Sequence, residues 1–126
     1  MKESKNTTEK DFLELWDWVY EQKNVVVFDA SLFPSYLLID TILILPSGRK
    51  QGLGSLIMKK VCEFADLHRK DILLLPDEDM GTALEVLIYF YGNFDFTIHK
   101  GVKYEGDWID YLLREPVDIN KSLIFD

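Results

Sequence analysis

The sequence predicts an α/β (α+β) fold, a mixed central sheet with flanking helices, and three observations carry that expectation. The run from Tyr36 to Leu45 is apolar almost throughout and stops at Pro46, Ser47 and Gly48, as a strand buried on both faces does. An amphipathic helix opens directly behind a turn bearing Gly52 and Gly54, and a second apolar strand, Asp71 to Leu75, follows it. Strand, helix and strand in this order place two parallel neighbours on a right-handed crossover. The third observation is the pair Phe94 to His99 and Trp108 to Leu113 around the turn region KGVKYEGD, which reads as antiparallel.

The remaining elements follow from periodicity. Phe12, Leu15, Trp16, Val19 and Tyr20 recur at helical spacing, which predicts a helix over Glu9 to Gln22, and Thr8 with Asp11 three residues later resembles a capping box at its start. Val25 to Phe28 is a short strand, and the SLFPS segment turns the chain into Tyr36 to Leu45. In the crossover helix Leu53, Leu56, Ile57, Val61, Phe64 and Leu67 form the core stripe, with Lys59, Lys60, Glu63 and Arg69 outside. A last helix runs from Met80 to Tyr91. With 126 residues and no internal repeats or linker-like run before Pro116, the chain is one domain, residues 1–126, with residues 116–126 as a C-terminal extension. Leu123, Ile124 and Phe125 in that tail suit docking on the domain or on a second subunit.

The turn after the long strand is an anion cradle. Backbone N–H groups at a helix start have no intrahelical partner, and the peptide dipoles add partial positive charge there. Glycine at 52 and 54 keeps side chains away from those groups, while Arg49 and Lys50 add full charges. The spacing excludes the two commonest phosphate loops. A Walker loop beginning at Gly48 needs glycine where Leu53 stands, and a dinucleotide loop beginning at Gly52 needs glycine where Ile57 stands.

The segment Pro46-Ser47-Gly48-Arg49-Lys50-Gln51-Gly52-Leu53-Gly54 resembles the acyl-coenzyme A signature of the GNAT superfamily of N-acetyltransferases, P-x-x-[RQ]-x-x-G-x-[GA]. Phe90-Tyr91-Gly92-Asn93-Phe94-Asp95-Phe96 resembles the family's later signature, an aromatic-Tyr pair, three residues and Gly-Phe. Both matches stand in register over Leu37 to Arg114. Asp95 occupies the glycine position, and Leu84 and Leu87 stand where relatives often carry Asn and Ala. The resemblance implies a GNAT-like sheet with a shortened N-terminal part, since relatives place more strands and helices before the cradle. It also implies two parallel strands that splay to admit a pantetheine arm. Acetyl-CoA would be the acyl donor, its pyrophosphate on Arg49, Lys50, Gln51, Gly52, Leu53, Gly54 and Ser55. Its pantetheine amide would bond the backbone of Ile44 and Leu45.

Amide formation requires an amine without its extra proton, a polarised thioester carbonyl and a stabilised leaving thiolate. A Lys amine has a pKa of about 10.4, so a base helps at neutral pH. Tyr91 matches the family position that protonates the thiolate, and a place on the apolar stripe of Leu84, Leu87 and Ile88 is its structural alternative. Asp40, the acidic residue inside the long strand, is the candidate base, or else a carboxylate turned to solvent at a break in pairing. Asp77, Glu78 and Asp79 cap the helix at Met80 or form an amine-attracting rim. His68 and His99 are isolated from other ligands, and Cys62 reads as a buried structural thiol, so a metal site is not expected. Trp16, Trp18 and Trp108 are packing or interface groups.

A net charge of −8 opposes a nucleic-acid footprint and suits a cationic partner, or simply keeps the chain soluble. The single Cys excludes an internal disulfide, the start MKESKNTTEK lacks an apolar leader, and no stretch approaches the roughly 20 apolar residues of a membrane span, which together read as cytoplasmic. The expected activity is transfer of an acetyl group to a primary amine of a small cationic molecule or a protein. The thin front half would be completed by the tail, by a partner subunit in a homodimer, or not at all for a large acceptor. A catalytically inactive binding or regulatory module is the second reading.

Overall fold

A computed structural model describes residues 2–45, 47–48, 52–76 and 84–117. Among the described residues the helices α1 (Lys2–Glu21), α2 (Leu53–Leu67) and α3 (Leu84–Gly92) accompany five strands. The strands are β1 (Val25–Leu32), β2 (Tyr36–Ile44), β3 (Asp71–Leu74), β4 (Thr97–Tyr104) and β5 (Asp107–Arg114). They form one sheet in the order β1-β2-β3-β5-β4, in which only β2 and β3 run parallel. The crossover and the closing antiparallel pair expected from the sequence are both present.

α1 begins at Lys2, seven residues before the expected start, because its first turns carry no apolar position for a periodicity to register. Thr8 therefore lies inside the helix and does not cap it. Thr8 and Asp11 instead share a face that reaches His68 at the end of α2. His68 Nε2 stands 2.8 Å from Asp11 Oδ2, and Nδ1 stands 3.1 Å from Thr8 Oγ1. His68 is thus a clamp between two helices rather than an isolated side chain. Leu15 and Val19 are buried from the same helix, with Phe12, Trp16 and Trp18 packed beside them.

β1 continues past Phe28 to Leu32, leaving the turn to Phe33, Pro34 and Ser35, with Phe33 N–H donated to Tyr36 O at 2.9 Å. As an outer strand β1 would offer unpaired backbone groups to other chains. Tyr20 occupies that edge: its hydroxyl donates to Phe28 O at 3.0 Å and accepts Phe28 N–H at 2.9 Å.

The stripe of α2 differs from the periodic expectation. Leu53, Ile57, Val61 and Phe64 are buried as expected, but Leu56 and Leu67 are exposed while Met58, Cys62 and Ala65 are buried. The buried face is turned toward the β2–β3 junction, with α1 covering part of the same helix, so two neighbours and not one set the stripe. Trp108 is exposed, with Lys103 Nζ 6.0 Å from its ring centre.

Arg114, at the end of β5, is buried and grips Asp66 of α2 with both terminal nitrogens, at 2.8 and 3.1 Å. Its Nε donates to Phe94 O at 2.8 Å, and Asp66 also accepts the N–H of Val117 at 2.9 Å. Burial is the largest single influence and opposes the guanidinium charge, but the hydrogen bonds donated to Asp66 and the nearby charges, among them Asp66 and Asp95, together outweigh it and hold the Arg114 pKa above its ordinary value. One ion pair thereby ties α2, β5 and the turn after α3 together.

Candidate functional site

The β2–β3 ladder is short. Tyr36 to Ile39 pair with Asp71 to Leu74, and the bond from Leu75 N–H to Ile39 O (3.2 Å) ends it. Asp40 follows immediately as an extra residue on β2, because Asp29 pairs with Thr41 and Ala30 with Ile39. A bulge bends its strand and increases the local twist. β2 therefore departs from β3 at Asp40, and a cavity of about 300 Å³ opens between them. The upper half of β2 is accordingly half-buried instead of enclosed on both faces as its composition suggests.

Backbone direction at this opening follows from the edge. Phe28 pairs with Ile42, and the N–H and C=O of Phe28 turn outward to Tyr20. Directly opposed antiparallel residues that do not bond each other point their polar groups in opposite directions. Those of Ile42 thus face the opening, where no strand of the described residues stands. Alternation along β2 could have indicated Ile42, but only with the β1 register known. Leu45 is different: its N–H is donated to Asn24 O at 2.8 Å and its carbonyl accepts Gly48 N–H at 2.9 Å. The expected donor from Leu45 is engaged in the turn. Ile44 lines the cavity, as Ile42 does.

The start of α2 carries no side-chain cap. Gly52 precedes α2 with φ +76°, a left-handed conformation that favours glycine, and it offers no side chain to cap the N–H groups. No acidic residue occupies the first turn. Gly52, Gly54 and Ser55 line the cavity, whereas Leu53 turns its side chain into the core and would contribute through its backbone alone. A β-carbon on Gly54 would meet Phe90 Cζ at 3.5 Å and Ile44 Cδ1 at 3.7 Å, ordinary contacts. Gly48 is the glycine that packing demands, since a β-carbon there would lie 2.9 Å from both Asn24 Cβ and Ile44 Cγ2. Arg49, Lys50 and Gln51 lie outside the described residues, as do Asp77, Glu78 and Asp79.

Tyr91 and Asp40 line the same cavity from opposite elements, α3 and β2. Tyr91 is buried against Phe90 and Phe96, with ring centres 5.0 and 5.6 Å away. Its carbonyl accepts the N–H groups of Phe94 (2.9 Å) and Phe96 (3.3 Å), which folds the chain sharply after α3. Asp95 within this turn has φ +70°. The departure from glycine therefore keeps the left-handed backbone and bears its cost. Asp95→Gly should raise the unfolding free energy by roughly 0.5–1 kcal/mol, read by urea titration.

Two groups here are held protonated by their surroundings. Burial pushes the Tyr91 phenol up to about 12. Burial also dominates at Cys62, raising its thiol to about 11 against the opposing charge of Arg114. Between the unfolded values near 9 and 10 and these folded values, the native chain keeps protons that the unfolded chain releases. Stability is then complete below about pH 9 and falls as pH rises toward 12, by roughly 2–3 kcal/mol for each group at 1.36 kcal/mol per unit. Urea unfolding at successive alkaline pH values should show this fall, and Cys62→Ala, though less stable throughout, should show a flatter one between pH 9 and 11. The same burial leaves Cys62 unreactive as a nucleophile. Among the described residues no group of His, Cys, Asp and Glu could hold a metal, and no helix is long and apolar enough to cross a membrane.

No family model and no curated protein matches the sequence. Two solved structures share its architecture. Ard1 from Thermoplasma volcanium superposes with a TM-score of 0.50 at 15% identity, over 72% of this chain and 62% of that one. A Bacteroides thetaiotaomicron structure assigned to the GNAT family of acetyltransferases superposes with a TM-score of 0.51 at 22% identity, over 78% of this chain and 58% of that one. The chain therefore has the GNAT fold, and it matches about three fifths of the length of each neighbour.

Proposed function

We propose that this chain is an acyl-CoA-dependent N-acyltransferase that moves an acetyl group to a primary amine. One observation carries the reading: the β2–β3 opening runs from an uncapped helix start at Gly52 to a closed end where Asp40 and Tyr91 line one cavity. The N–H groups of Leu53, Gly54 and Ser55, with Arg49 and Lys50 adjacent in sequence, would hold the pyrophosphate. Ile42 and Ile44 would hold the pantetheine amides, and apolar walls such as Leu43, Leu74 and Leu87 exclude water. Acetyl-CoA supplies an acyl carbonyl activated as a thioester.

Asp40 is suited to accept a proton from the incoming ammonium, directly or through water, because the strand bend sets it at the cavity wall. Tyr91 keeps its proton at neutral pH and donates a hydrogen bond to the departing sulfur. Full transfer from a phenol near 12 to a thiolate of ordinary pKa, about 8.5, would be uphill by roughly 5 kcal/mol, so the final proton comes from solvent. A hydrogen bond to a charged acceptor contributes about 1.5–3 kcal/mol. Tyr91→Phe should therefore lower kcat by about 10- to 100-fold with KM for acetyl-CoA unchanged. The net charge of −8 supports a cationic acceptor.

Thiol release from acetyl-CoA across a panel of polyamines, aminoglycosides, amino acids and Lys-bearing peptides tests the reading. Release with one amine class establishes the transferase. Binding of acetyl-CoA with no release from any amine would contradict turnover and favour the regulatory module.

A further inference from the structure

We propose that the acceptor is an aliphatic diamine or polyamine, with its reacting nitrogen at Asp40 and a second, charged nitrogen held by Asp110. The inference rests on the transferase reading above and narrows its acceptor from any primary amine to a chain that carries two cations. A second, shallower hollow adjoins the donor cavity. Leu75, Pro76, Leu84, Ile109 and Asp110 line it, and Leu75 and Pro76 line the donor cavity as well. The two openings thus share one short stretch of chain, the residues that leave β3.

Strand register sets the spacing of the two carboxylates. Leu74 pairs with Leu112, so Pro76, two residues on, comes level with Asp110 of β5. On the other side Ile39 pairs with the same Leu74, and Asp40 is the next residue of β2. Asp40 and Asp110 therefore flank Leu75 and Pro76 at two strand spacings, about 10 Å between their backbones. Gly101, at the irregularity of β4, donates its N–H to Asp110 Oδ1 at 3.0 Å and so fixes that carboxylate. This bond takes one of its roughly four acceptor positions and leaves the others for a cation. Between the two acids Leu75, Pro76, Leu84 and Ile109 are half-buried, and their remaining apolar surface suits methylene groups. An extended aliphatic chain advances about 1.25 Å per bond, so roughly six to nine bonds between nitrogens match the span. A free amino acid would set its own carboxylate against one of the two acids, and an aminoglycoside would lay hydroxyls on the apolar stretch.

Thiol release from acetyl-CoA by the full chain tests this, with α,ω-diaminoalkanes of increasing length as probes and n-alkylamines of matching length as single-cation controls. The value of kcat/KM should peak at a spacer of about five to eight carbons and exceed that of the matching alkylamine about tenfold or more. Asp110→Asn keeps an acceptor for the Gly101 N–H, so circular dichroism should show an unchanged fold. It should raise KM for the preferred diamine about tenfold, lower kcat far less, and flatten the dependence on length. An unchanged KM in Asp110→Asn, equal losses with diamine and alkylamine, or a rate indifferent to chain length would overturn the assignment. Release confined to amino acids, aminoglycosides or Lys-bearing peptides would also overturn it and leave the transferase reading standing. No release from any amine would overturn the transferase reading, and this inference with it.

Discussion

Leucine at position 54 should lower acetyl-CoA affinity at least 100-fold while leaving the protein folded. Gly54 lies in the first turn of α2 in a conformation open to any L-residue, and it lines the cavity. A β-carbon alone fits there in ordinary contact with Phe90 and Ile44. The isobutyl group beyond it occupies the space through which the donor must run. Helix propensity works in favour of the variant, by up to about 1 kcal/mol. Loss of binding at an unchanged or raised melting temperature therefore separates obstruction from unfolding. Wild-type affinity in Gly54→Leu would remove the cradle from the account.

Arg114→Met should destabilise the fold by about 3–5 kcal/mol, because Asp66 would be left as a largely buried charge without its partner. Asp66→Leu should cost a similar amount for the converse reason. The double variant should recover most of the loss, since two apolar side chains of comparable volume remove both desolvation costs at once. Urea unfolding of the four proteins measures the coupling, and additive losses would show that the pair is energetically ordinary. The ion pair also reaches the site: Arg114 Nε holds Phe94 O within the turn whose N–H groups bond the carbonyl of Tyr91. Arg114→Met should thus disturb Tyr91 as well as global stability.

The parts of this architecture legible in the sequence are those encoded locally. An apolar run ending at Pro46, glycines at 52 and 54 and an amphipathic helix specify a strand, turn and helix with an open N-terminus, because each depends on neighbours in the chain. Tyr91 was legible through its motif, and its burial on the cavity wall accords with both the catalytic and the core readings. Features built from distant partners were not legible. Asp40 looks like any strand carboxylate until the β1 register makes it a bulge. Thr8 and Asp11 carry the pattern of a cap, and only the approach of α2 shows that they serve His68. Arg114 and Asp66 are 48 residues apart, and neither belongs to a local pattern. Ile42 is one apolar residue among several until the direction of its backbone is set by Tyr20 across the neighbouring strand.

The departures from the family signature also acquire physical meaning. Asp95 replaces glycine yet keeps the left-handed turn, so this substitution gives no ground for a collapsed site. Leu87 lines the cavity and adds apolar wall to it. These residues change the lining of the opening and not its existence, which rests on the bulge at Asp40 and the end of pairing at Ile39.

The most direct test of the central claim is calorimetric titration of the purified chain with acetyl-CoA, using the Gly54→Leu variant as the control. Saturable one-to-one binding at micromolar concentration is expected in the wild type and none in the variant. Absence of heat in the wild type, or equal binding by both proteins, would contradict it.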